Sequence, residues 1–101
     1  MTTITTIAIT NNTVLLIEAN IVGRQTNAAN RAGYVRRAVV YRESGDVATL
    51  QNTVDTSLTR ESNTSWNATI TVSGNDALIQ VTGATGADIN LKCKFSTVEV
   101  A

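Results

Sequence analysis

Histidine and proline are absent from the 101-residue chain, cysteine occurs once, and there are two tyrosines, one tryptophan and one phenylalanine. Without histidine there is no common zinc site and no imidazole to carry protons. One cysteine cannot close an internal disulfide. Eight basic and eight acidic side chains leave a formal charge of zero. That balance argues against a domain whose main work is gripping nucleic acid or an anionic membrane, which needs a basic excess. The longest apolar passage, residues 14–22, is broken by Glu18 and Asn20 and falls far short of the roughly 20 residues of a membrane span. The opening Met-Thr-Thr-Ile has neither the basic head nor the apolar stretch of a secretory signal. The chain is therefore expected to be made and kept in the cytosol, or assembled there into something larger. Three Asn-X-Ser/Thr triplets, at Asn11, Asn63 and Asn67, are chance matches in a chain so rich in Asn and Thr.

What the chain has in abundance is β-branched residues: 17 Thr, 11 Val and 8 Ile. Such side chains lose rotamer freedom in a helix and pack well on a pleated surface. The expectation is an all-β fold in one domain, since the length leaves no room for a second core. Residues 1–12 read as an N-terminal strand or arm and residues 13–101 as the domain proper. Asn11-Asn12 is a turn signal, because Asn tolerates positive φ. Residues 13–22 form a long strand with Leu15, Ile17, Ala19 and Ile21 on one face and a mixed second face. Residues 23–33 are polar and aperiodic, which predicts a long loop. Residues 34–43 and 47–54 are strands about a tight turn at Ser44-Gly45-Asp46. Residues 55–65 lack an apolar period and read as a connection. From Trp66 to Phe95 the alternation predicts a three-strand meander, turning at residues 73–76 and again at residues 83–86. Its inward face would carry Trp66, Ile70, Val72, Ile79, Val81, Ile89, Leu91, Cys93 and Phe95. After Phe95 the apolar parity switches to Val98 and Val100, which predicts a bulge near Ser96 and Thr97. About seven strands at this spacing indicate an antiparallel β-sandwich, with a small barrel-like closure as the alternative.

No catalytic set can be assembled, so an enzyme is not expected, and neither is a metal or cofactor. Cys93 lies mid-strand between Leu91 and Phe95 and reads as a small core hydrophobe. Residues 83–86 lack the Gly-Lys-Thr/Ser that follows in a phosphate loop. The basic residues are unevenly placed: Arg24, Arg31, Arg36, Arg37 and Arg42 put five of the eight cations between positions 24 and 42, with no acid among them. Read plainly, they are a solvated face paired with Glu18 and Glu43. Read more sharply, they are candidate interface residues, since the planar guanidinium fork suits carboxylates and carbonyls of a partner. Apolar groups on both faces of residues 14–22 also want a cover, and small domains often gain buried area by oligomerising.

The runs Ile17-Glu-Ala-Asn-Ile-Val-Gly-Arg-Gln-Thr26, Gly33-Tyr-Val-Arg-Arg-Ala38, Trp66-Asn-Ala-Thr-Ile-Thr-Val-Ser-Gly74, Ile79-Gln-Val-Thr-Gly83 and Gly86 through Cys93, in that order, resemble a small β domain of tailed-bacteriophage virion proteins. The domain occurs at the ends of tail-fibre or appendage chains and as short free-standing structural proteins. The resemblance covers roughly residues 14–95; Leu91 stands where the pattern expects Trp. It implies a virion structural protein without enzymatic activity, in the first instance a capsid decoration or cement protein. Its partners would be the major capsid protein and sister copies in a homo-oligomer, a trimer by analogy with shell geometry. The second reading is a tail-fibre or appendage tip that recognises a host surface. Attachment is expected through residues 1–12, added to a neighbour's sheet edge, and through the loop bearing Arg24 and Arg31.

Overall fold

The computed structural model describes residues 2–83 and 88–101. Seven strands follow in chain order: β1 (Thr2–Ala8), β2 (Thr13–Gln25), β3 (Arg31–Arg42), β4 (Thr49–Glu61), β5 (Asn67–Ser73), β6 (Asp76–Thr82) and β7 (Ile89–Val100). They form two antiparallel sheets, ordered β1-β6-β5 and β4-β3-β2-β7. The sheets face one another as a β-sandwich and do not close into a barrel.

Period-two alternation builds the core. Leu15, Ile17, Ala19 and Ile21 of β2 and Tyr34, Ala38 and Val40 of β3 are buried against Ala68 and Ile70 of β5 and Ala77, Ile79 and Val81 of β6. Each large aliphatic side chain removed from water contributes about 1.5–3 kcal/mol. The chain passes from the first sheet to the second at Asn12, whose φ of 61° is the left-handed conformation that Asn accepts. The Thr13 hydroxyl donates to the Thr10 carbonyl there, at 2.6 Å. β5 turns into β6 through Gly74, φ +58°, with Ser73 opposite Asp76. Glycine at the first central position of a two-residue hairpin loop is what a type II′ turn requires.

The structure departs from the expected organisation in four places. First, the meander does not form: β5 and β6 pair, but β7 crosses to the other sheet and runs antiparallel to β2. The turn expected over residues 83–86 falls largely on residues 84–87, outside the described residues. Second, residues 55–61 are not a connection but the second half of β4, paired with β3 through two register shifts. Third, the long loop shrinks to residues 26–30, because β2 runs on to Gln25 and β3 begins at Arg31. The Gln25 and Asn30 side chains hydrogen bond at 3.0 Å across that hairpin end. Fourth, β7 has no bulge: its register against β2 is continuous from Ile89 to Val100. Phe95, expected in the core, is 41% exposed, and Val72, Ile89, Leu91 and Cys93 are half-buried at its margin. The N-terminal segment pairs with β6 of its own chain over residues 2–8.

Candidate docking face on the four-stranded sheet

Among the described residues, no second layer lies over the side of the β4-β3-β2-β7 sheet turned away from the core. On β2 that side carries the even-numbered residues, from Val14 at one end to Arg24 at the other. Register decides what lies beside them. At the hairpin end Arg24 is opposite Arg31 and Val22 is opposite Gly33, while Gly33 is in turn opposite Arg60 on β4. A groove of about 610 Å³ opens there, lined by Val22, Arg24, Arg31, Gly33, Arg60 and Ser62 among others. Gly33 makes the hollow, because any larger residue at that position would project from the floor between Val22 and Arg60. All three arginines are exposed, and none makes an ion pair among the described residues. Arg31 donates to the Ala29 carbonyl at 3.0 Å and Arg60 to the Thr59 carbonyl at 3.1 Å, leaving most of each fork free. Among the described residues lining the groove the one acid is Glu61, which accepts the Tyr34 hydroxyl at 2.6 Å. The groove can therefore hold an anionic group by planar, bidentate contacts.

No family model matches the chain, no curated protein matches it in sequence, and no solved structure matches it in fold. The site rests on its own geometry.

The remaining arginines of the sequence-predicted set do not join this groove. Arg37 lies mid-sheet between Glu18 and Asp55, with its Nε 3.0 Å from Glu18 and an Nη 3.3 Å from Asp55. These acids raise its pKa, the Glu18 hydrogen bond and charge foremost. This is the plain reading of a paired, solvated cation, and exposed pairs of this kind add little stability. Arg42 turns to its own chain, donating to the carbonyls of Asp46 at 3.0 Å and Ile9 at 3.1 Å. Arg36, expected among the interface residues, is instead buried. It is 1% exposed, inside the sandwich, and is not available to a partner. Its Nε donates to Ala68 O on β5 at 2.7 Å, and one Nη donates to Leu58 O on β4 at 2.7 Å and to Val35 O at 3.2 Å. The guanidinium also lies over the Tyr34 ring, 4.8 Å from its centroid. Burial lowers its pKa, offset by the fields of Tyr34, Glu61 and Asp55.

At the opposite end of the face the register brings Val14 beside Val100 and Leu16 beside Val98. All four are exposed, Val98 at 69%. One sheet face thus presents an apolar end, a central row of ion pairs and a cationic end. Among the described residues no group of acids and thiols stands close enough to hold a metal ion. Cys93 is half-buried, and desolvation raises its pKa.

Sequence reasoning missed Arg60 because it lay in a stretch read as a connection. The available signal was β-branched content, with Thr53, Val54, Thr56 and Thr59 close together. The parity switch after Phe95 implies a bulge that would keep Val98 and Val100 inward, whereas β7 runs on in register and turns both outward.

Proposed function

We propose that this chain is a structural protein of a tailed-phage particle, a decoration protein that cements the capsid shell. The virion assignment is carried by the resemblance over residues 14–95; the sandwich has the fold class that the resemblance implies. The observation that supports a docking role is the uncovered face of the four-stranded sheet, apolar at Val14, Leu16, Val98 and Val100 and cationic at Arg24, Arg31 and Arg60. Such a face can seat on neighbouring capsomers, with acidic groups of the shell in the groove and apolar groups against the valines. Binding only the assembled lattice stabilises it by mass action. The protein is assembled in the host cytoplasm and ends in the virion, acts as a homo-oligomer and performs no chemistry of its own. The expected trimer is drawn from shell geometry alone; the strand edge described below favours a two-fold contact as the building unit.

The test is to add the protein to bare shells of candidate phages and read co-sedimentation and the shell's melting temperature. Binding, with a raised melting temperature, is expected from the parent. The Arg24→Ala/Arg31→Ala/Arg60→Ala variant should bind more weakly. If no shell binds while intact host cells do, the tail-fibre tip reading replaces the cement reading.

A further inference from the structure

We propose that β7 pairs edge to edge, antiparallel, with β7 of a second copy about a two-fold axis through Phe95, joining two four-stranded sheets into one. The inference does not depend on the virion reading, since it concerns only this chain's own surface.

The two sheets leave four strands at an edge, β1, β5, β4 and β7. An open edge is a template for another strand, and proteins blunt edges by shortening, bulging or charging them. β5 is short, at 7 residues. β1 is equally short and has a register shift between Thr3 and Thr5. β4 is long but shifts register twice and holds Asn52 at a φ of 63°. β7 alone runs 12 residues with no proline and no register shift. Its second half is also apolar and bare, with Phe95 41%, Val98 69% and Val100 64% exposed.

The charges on β7 choose the occupant and the direction. Lys92 and Lys94 lie in the first half and Glu99 in the second. A parallel neighbour in register would set lysine against lysine, and like charges directly opposite are destabilising. Antiparallel pairing with a second copy separates the lysines and sets each against an uncharged residue of the other strand, with Glu99 on the opposite face of the sheet. Pairing about an axis normal to the sheet keeps each residue on its own face, so the axis must pass through a residue. An axis at Lys94 would put the two Lys94 side chains face to face. An axis at Ser96 shortens the overlap and leaves Phe95 opposite Thr97. An axis at Phe95 uses residues 90–100, places Lys92 opposite Val98 and Lys94 opposite Ser96, and stacks the two Phe95 rings on the core side of the sheet. Aromatic cross-strand pairs are among the more favourable ones. The lysine stems lie along Val98 while their ammonium groups stay in water.

The experiment is sedimentation equilibrium on the full chain, with urea midpoints to show that each variant still folds. Val98 is mostly exposed, so at dilutions where the protein is monomeric neither of its substitutions should shift the midpoint. The parent is expected to dimerise. Val98→Lys sets a charge against Lys92 twice per dimer and should weaken association by about tenfold or more. Val98→Glu faces the same lysine with opposite charge and should keep the dimer while making it salt-sensitive. In a Cys93→Ser background, Phe95→Cys should give a covalent dimer on mild oxidation, since opposed antiparallel Cα atoms lie within disulfide range. Leu16→Cys, on the neighbouring strand, should not. A parent that remains monomeric overturns the proposal. So does an oligomer of any size that ignores Val98→Lys and fails to crosslink through Phe95→Cys.

Discussion

Arg36 sits where charged residues almost never sit, and the reason lies in the backbone opposite. Between Val35 and Arg37 on β3 there is one residue, whereas β4 fits Thr56 and Ser57 between their partners Leu58 and Asp55. Two residues facing one is the geometry of a β-bulge. Arg36 bonds the carbonyl of Leu58 beside that bulge and the carbonyl of Ala68 on β5, so it ties the two sheets together. Arg36→Ala would strand both acceptors and leave a cavity, costing on the order of 2–5 kcal/mol. Arg36→Lys should recover only part of this, because a single ammonium cannot span both carbonyls. Urea midpoints of the variants would show it. Tyr34 beside it gives a pH prediction. Burial, then the Glu61 hydrogen bond and charge, hold the phenol's pKa far above the tyrosine range, against a lowering by Arg36. The folded state keeps a proton that the unfolded chain releases near its ordinary pKa of about 10. Stability is thus fully present below about pH 10 and falls as pH rises further. Tyr34→Phe should flatten that alkaline decline, and phenolate absorbance should show Tyr34 ionising only with unfolding.

The strands differ in how openly they announce themselves. In β2 and β6 the inward residues alternate without a break, so strand, face and core were all legible from the order of residues. β4 was half hidden because its shifts break the period at residues 52–54 and 56–57; alternation cannot be read across a bulge. Arg60, one of the three arginines of the groove, is hidden with it. β7 was legible as a strand but not as a member of the second sheet. Alternation says which side of a strand is apolar, not which strand lies beside it, and a short link after β6 made a hairpin the natural guess. The irregularity of β4 carries its own prediction. Asn52 holds a φ of 63°, where a β-branched residue is penalised by about 1–2 kcal/mol. Asn52→Val should destabilise by that amount in chemical denaturation, while Asn52→Gly should be close to neutral. A stabilising Asn52→Val would mean that the strand had straightened and the bulge did not matter.

The whole molecule divides its labour between two sheet faces and one edge. The inner faces hold the sandwich together, while the edge of β7 is proposed for a sister copy and the bare face of the four-stranded sheet for docking. On that face the apolar and cationic ends are separated by the row Glu18, Arg37 and Asp55, in which one guanidinium is shared by two carboxylates. The two ends should therefore respond to salt independently. The arginine groove acts through exposed charge, which is screened over about 10 Å at 0.1 M salt, whereas contact at Leu16 and Val98 is not screened. On the proposed cement role, binding of the parent to a shell should weaken as salt is raised and then level off at an apolar remainder. Arg24→Ala/Arg31→Ala/Arg60→Ala should bind at that remainder at every salt concentration. Leu16→Asn should lower affinity by the same factor throughout and leave the salt slope intact. Titrations of labelled protein onto shells at several salt concentrations would separate these slopes. A slope unchanged by removal of all three arginines would place the charged contact elsewhere, with Lys92 and Lys94 the next cations to test.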